Sequence, residues 1–165
     1  MDWIAKFEKV SKEQYMKHRA EWGDSVRELT EEYELIKKPL RATKGSAGYD
    51  FFLPYDIRLL AGEEIVIPTG IRALIENGWF LGVFPKSGLG FKYRVQLANT
   101  VGIIDSDYSG SDNEGHILIK IVNCGDKTLQ LAAGKSFAQG IFLQHGITVD
   151  DDAVGIRNGG IGSTN

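Results

Sequence analysis

The chain has 165 residues, 42% hydrophobic and 25% charged, with a formal net charge of −3 at pH 7. That is the composition of one soluble globular domain, long enough to bury roughly 70% of its unfolded surface without disulfides or a structural metal. A single cysteine, Cys124, excludes an internal disulfide framework and a multi-cysteine zinc site. No apolar run reaches the roughly 18–20 residues of a membrane span. The missing basic surplus argues against a nucleic-acid binder. The N-terminal MDWIAKFEKV has charges where a signal peptide is apolar, so a reducing, cytoplasmic setting is expected.

Two textures follow one another along the chain. Residues 1–44 hold 19 charged side chains and one glycine, Gly23; the other 19 of the 20 glycines come later. Trp3, Ile4, Phe7 and Val10 recur at three- and four-residue spacing, which predicts a helix with one apolar face. Ser11-Lys12-Glu13-Gln14 fits a capping box, opening a second helix that presents Tyr15, His18 and Trp22 and stops at Gly23. Acidic residues dominate to Glu34, and Pro39 discourages a helix across 36–38. Residues 1–33 therefore read as a helical N-terminal extension.

From Gly45 onward the helical period disappears. Runs rich in β-branched and aromatic residues at 49–53, 64–67, 71–75, 79–84, 117–122 and 137–143 alternate with turn signals. Asn77-Gly78 predicts a type I′ hairpin, with positive φ at both residues. Short strands with glycine turns and no helices between them predict an all-β antiparallel sandwich or barrel. Asp150-Asp151-Asp152 reads as a solvated turn.

Three glycine-rich stretches carry chemistry. In Pro85-Lys86-Ser87-Gly88-Leu89-Gly90 a cation, a hydroxyl and permissive backbone adjoin, which suits a phosphate as well as it suits a plain surface loop. Gly159-Gly160-Ile161-Gly162-Ser163-Thr164, preceded by Arg157, could wrap a polyphosphate or be a tail; it lacks the Gly-Lys-Ser/Thr core of a Walker loop. Residues 99–110 end in Asp105-Ser106-Asp107-Tyr108. On a strand Asp105 and Asp107 share a face, placing one as a general base or both around a hydrated magnesium ion, against the alternative of a polar turn.

In this order the stretches resemble the trimeric deoxyuridine triphosphatase (dUTPase) family. Ser46-Ala47-Gly48-Tyr49-Asp50 resembles its first motif, Lys86-Ser87-Gly88 the second, residues 99–110 the third, Gly134-Lys135-Ser136-Phe137-Ala138-Gln139 the fourth and residues 157–164 the fifth. The resemblance covers residues 34–165. It implies a β-jelly-roll core over 34–154, a glycine-rich C-terminal lid over 155–165, and a homotrimer whose active sites are shared between subunits. Asp105 matches the carboxylate that activates water for in-line attack on the α-phosphate of dUTP. Tyr108 matches the residue under the deoxyribose that excludes a 2′-hydroxyl, and Asn99, Gly102 and Ile104 match the uracil-reading hairpin. Lys86, Ser87, Gly88 and Gln139 match phosphate contacts, and Arg157, Ile161, Gly162, Ser163 and Thr164 the lid. Mg²⁺ is implied, bound through phosphate oxygens and water, with no direct protein ligand and Asp50 near its water shell.

The chain departs from that family where Lys86 and Ser136 stand in place of arginines, and Ile161 in place of an aromatic that stacks on the base. Residues 111–116 read as an inserted surface loop. Two other functions compete. A dCTP deaminase shares the fold, but needs a glutamate where Lys120 stands; Glu114 is the nearby substitute. A regulatory binding module would use the extension as its interaction face, yet would have no need of Asp105 together with Tyr108. The three histidines, His18, His116 and His145, are scattered in sequence and receive no chemical role.

Overall fold

The computed structural model describes residues 3–19 and 25–160. Strand β1 (Ala5–Lys9) is followed by helices α1 (Lys12–Arg19) and α2 (Val26–Leu35). Strands β2 (Leu40–Arg41), β3 (Tyr49–Phe52), β4 (Ile57–Leu59), β5 (Glu64–Pro68), β6 (Ile71–Ile75) and β7 (Trp79–Pro85) lead into helix α3 (Ser87–Tyr93). Then come β8 (Val95–Leu97), β9 (Gly102–Ile104), a 3-10 turn at Tyr108–Gly110, β10 (Leu118–Asn123), β11 (Leu129–Leu131) and β12 (Ser136–Gln144).

The ladders are antiparallel, as the glycine-punctuated strands predict. A five-stranded sheet has the order β2-β3-β12-β7-β9 and a three-stranded sheet the order β5-β10-β8; β1-β6 and β4-β11 are two-stranded. Period-2 alternation fills the core. Along β10, Ile119, Ile121 and Asn123 point inward between half-exposed neighbours. With Phe51, Ile67, Leu81, Leu129 and Phe137 the buried isoleucines form one continuous core, each such side chain contributing about 1.5–3 kcal/mol. Asn123 is polar but satisfied: its amide donates to Leu59 O (3.1 Å) and Lys127 O (2.8 Å) and accepts from Gly125 N–H (3.2 Å).

Four expectations need correcting. The segment expected as a first helix is instead strand β1, paired with β6 from Ala5 opposite Ile75 to Lys9 opposite Ile71. The sequence Lys6-Phe7-Glu8 alternates with period 2: Lys6 pairs with Glu8 (2.6 Å) on one face while Phe7 packs against Tyr49, Phe51 and Phe142 on the other. Tertiary pairing with β6 outweighs a helical spacing that four apolar residues define only weakly.

The second correction concerns Asn77-Gly78. Only Gly78 has positive φ (84°), so the turn is not type I′, and β6 and β7 belong to different sheets. It is a corner rather than a hairpin. Third, residues 87–93 form helix α3 where no helix was expected. Fourth, the 111–116 segment is folded in, with Ser111 and His116 buried.

The extension keeps its helices. The Gln14 N–H donates to Ser11 Oγ (3.1 Å), the predicted half of the cap. Its reciprocal half comes from elsewhere: the Ser11 N–H donates to the Glu114 carboxylate (2.7 Å), while Gln14 Nε2 meets His18 Nδ1 (3.2 Å). Trp22 and the predicted stop at Gly23 lie outside the described residues. Helix α2 opens with a complete capping box between Ser25 and Glu28 and ends before Pro39. A bidentate Arg19–Glu32 pair (2.7 and 3.1 Å), joined by the Tyr15 hydroxyl donating to Glu32, holds α1 to α2.

Candidate active site

The predicted residues that are described lie along β7 and on the turns at its ends. At the Pro85 end, register alone aligns three motifs: Gln139 of β12 lies opposite Asp50 of β3 and opposite Phe84 of β7. Lys86, the residue preceding α3, reaches Asp50 Oδ1 with its Nζ (2.6 Å), and both side chains are largely buried. Gln139 Nε2 donates to Pro85 O (3.0 Å). Ser87 and Gly88 begin α3 and are exposed. The result is a cation, an amide and a hydroxyl on rigid elements, with one carboxylate already neutralised.

β9 pairs antiparallel along the middle of β7, Leu81 opposite Ile104 and Val83 opposite Gly102, so the Asn99 turn leads toward the Pro85 end and Asp105 toward the Trp79 end. A Cβ on Gly102 would stand 3.1 Å from Val83 Cβ, tight enough that Val83 would have to give by a few tenths of an ångström. Val83, Leu97, Asn99, Gly102, Ile104 and Lys120 line a cavity of about 260 Å³. It is mostly apolar with a few polar groups, the usual make-up of a base or small-ligand pocket. The turn into β9 has Thr100 at φ 69° and a Val101 N–H donating to Asn99 O (2.8 Å).

Asp105 and Asp107 do not lie on a strand, because β9 ends at Ile104 and the chain turns. They nonetheless face one partner: Arg157 donates through Nη2 to Asp105 and through Nε to Asp107 Oδ1 (2.9 Å). The guanidinium also stands 5.9 Å from the Tyr108 ring centre. Tyr108 is only 8% exposed; its Oη donates to His116 O (2.9 Å) and accepts from Asn113 Nδ2 (2.8 Å). Burial raises this phenol above its ordinary pKa, with Asn113 and Arg157 opposing, so it stays protonated. The C-terminal segment also touches the 111–116 loop: with its amide nitrogen turned toward Asp112, Asn158 donates to that carboxylate (2.7 and 2.8 Å). Ile161, Gly162, Ser163 and Thr164 lie outside the described residues.

Phe80 and Lys86 are six residues apart, about 20 Å along a strand. Asp50, Lys86 and Gln139 thus gather at the Pro85 end, Asp105, Tyr108 and Arg157 gather past Leu81 toward the Trp79 end, and Gly102 lies between them opposite Val83.

The sequence reading missed a junction of buried polar groups beside Tyr108. His18 and His116, 98 positions apart, meet at 2.6 Å between their Nδ1 atoms, and Glu114 holds Ser11. Only the loop's own polarity hinted at it. Among the described residues no cluster of three or more His, Cys, Asp or Glu could hold a metal ion. A hard cation such as Mg²⁺ takes oxygen ligands, and Asp50, paired with Lys86, is the carboxylate at the Pro85 end.

An antiparallel β fold with a cation, an amide and a hydroxyl at one cluster, a small apolar pocket, and two carboxylates held by an arginine has the parts of a nucleotide-handling protein. The dUTPase family pattern matches residues 34–164. The deoxyuridine 5′-triphosphate nucleotidohydrolase of Lactococcus lactis is 35% identical over 132 residues, covering 78% of this chain and 88% of the relative. That of Pectobacterium carotovorum is 41% identical over 108 residues, 64% of this chain and 68% of the relative. The crystal structure of the Streptococcus mutans dUTPase superposes with a TM-score of 0.65 at 31% identity, covering 88% of this chain and 98% of that one. This chain belongs to the dUTPase family.

Proposed function

We propose that the protein hydrolyses dUTP to dUMP and pyrophosphate, in the cytoplasm, as a homotrimer whose sites combine the Pro85 end of one copy with the Trp79 end of another. The observation that supports this reading is that Asp50, Lys86 and Gln139 gather at the Pro85 end of β7 while Asp105, Tyr108 and Arg157 gather toward its Trp79 end: each cluster holds half of what phosphoryl chemistry needs. In the assembled site, uracil enters the pocket lined by Asn99, Gly102 and Ile104. A pocket that hydrogen-bonds the base edge rejects cytosine by leaving buried polar groups unpaired. Tyr108 lies under the deoxyribose. Lys86, Ser87, Gly88 and Gln139 of the other copy take the phosphate chain, and Asp50 takes part through water.

Asp105 orients a water and accepts its proton as the oxygen attacks the α-phosphorus in line; pyrophosphate leaves. Bound Mg²⁺ neutralises triphosphate oxygens and helps fix their geometry. Arg157 must first leave Asp105. A guanidinium fork suits phosphate as well as carboxylate, so the incoming triphosphate is its natural new partner, drawing the lid residues Ile161, Gly162, Ser163 and Thr164 over the nucleotide.

Deamination of dCTP is disfavoured by the partners of both candidate groups. Lys120 pairs with Glu64 (2.5 Å), and the Glu114 carboxylate is occupied by Ser11. A panel of dUTP, dCTP, UTP and dTTP with Mg²⁺, scored for pyrophosphate and ammonia, tests the reading. Pyrophosphate from dUTP alone is expected; ammonia from dCTP, or no turnover, overturns it.

A further inference from the structure

We propose that the N-terminal extension is a positioning element for Tyr108, with Glu114 as the residue through which it acts, so that α1 helps set discrimination against a 2′-hydroxyl. This deepens the dUTP-hydrolysis reading and rests on it. The family pattern begins at residue 34, so the extension lies almost wholly before it. Its contacts with the rest of the chain include the loop that holds the phenol.

The phenol is fixed in both hydrogen-bonding directions by residues 111–116. Asn113 Oδ1 accepts from the Gly115 N–H (3.1 Å), which turns the amide nitrogen toward Tyr108 Oη (2.8 Å). The phenolic proton goes to His116 O (2.9 Å). The loop is also pressed against the turn carrying Tyr108. A Cβ on Gly115 would stand 2.6 Å from Ser109 Cα and 2.8 Å from the Tyr108 carbonyl oxygen.

This loop is held from outside. Glu114 and Gly115 both have positive φ, 59° and 70°, a backbone that a glutamate adopts only when its surroundings enforce it. The enforcement comes from α1. The Ser11 N–H and Oγ donate to the two Glu114 carboxylate oxygens (2.7 and 2.5 Å). At the loop's far end, His116 Nε2 accepts from the Gly70 N–H (2.8 Å), leaving its proton on Nδ1, which donates to His18 Nδ1 of α1 (2.6 Å). Two contacts to one helix thus pin the loop on either side of Gly115, immediately after Asn113. Steric exclusion of one oxygen atom depends on the ring holding its place to a fraction of an ångström, so release of the loop relaxes the exclusion before it harms turnover of dUTP.

Steady-state kcat and KM for dUTP and UTP in wild type, Glu114→Ala, Glu114→Gln and Ser11→Ala test this. Glu114→Ala should lower the dUTP-to-UTP ratio of kcat/KM by about tenfold, chiefly through faster UTP turnover. Glu114→Gln, which can still accept from Ser11, should restore most of the ratio. A purely structural defect would depress both substrates together. Should Glu114→Ala fail to fold, Ser11→Ala probes the same contact from the helix side and should shift the ratio in the same direction. An active wild type with an unchanged ratio in the folded variants overturns this inference alone. A wild type that does not hydrolyse dUTP overturns the reading beneath it and the inference with it.

Discussion

At the Pro85 end of β7, Asp50, Gln139 and Lys86 owe their places to the register of three paired strands. At the Trp79 end, Asp105, Asp107 and Tyr108 sit on turns that have already left the sheet, and their places are held by side chains from distant segments, Arg157, Asn113 and, behind them, Ser11 and His18. Groups that bind a charged chain tolerate a rigid sheet platform. The groups proposed to read the sugar and activate the water, Tyr108 and Asp105, need directions that a strand does not offer, and bracing to keep them.

The sharpest way to break this division is at the chemical end. Asp105→Asn should lower kcat by about 10²–10⁴, the usual worth of general-base assistance, while fold and nucleotide affinity persist. Circular dichroism and calorimetric titration with nucleotide check both; a variant that loses affinity as much as turnover would contradict the assignment. At the binding end, Lys86→Ala should raise KM for dUTP by about 10- to 100-fold, as expected for a charge-assisted hydrogen bond. A loss confined to kcat would mean that the two ends are not separate in function.

A smaller effect concerns the bracing. Burial, and then neighbouring His18, push His116 down to about 3 from its ordinary value near 6.5. The unfolded chain takes up this proton below about pH 6.5 and the folded chain does not. Stability is therefore fully present above that pH and falls as pH drops toward 3, by about 1.4 kcal/mol per unit for this one group. Thermal melts between pH 7 and pH 5 should show the slope, and His116→Gln should flatten it. An equal slope in the variant would place the acid sensitivity elsewhere.

Much of this was legible in the chain itself. The strand runs stood out because period-2 alternation and glycine turns are local signals, and the ordered motifs pointed to the family because each is contiguous. What escaped was non-local. Nothing within residues 3–10 announces that β6 has an edge to be paired, although the alternation of Lys6, Phe7 and Glu8 was present to be read. Ser25-Val26-Arg27-Glu28 carries the capping box of α2 in plain view. The bracing of Tyr108 could not be seen, since His18 and His116, or Ser11 and Glu114, are neighbours only after folding. The placing of Lys86 and Asp105 toward opposite ends of one strand, on which the proposed division of the site rests, likewise appears only once the register of β7 is known.

That division gives the account its most direct test. Asp105→Asn and Lys86→Ala chains are purified separately, then co-expressed in equal amounts and assayed at dUTP concentrations well below the wild-type KM. If a site joins the Pro85 end of one copy to the Trp79 end of another, mixed assemblies contain sites with both halves intact, and roughly a quarter of wild-type activity should return. Activity no greater than the mean of the two separate variants would contradict a site shared between copies.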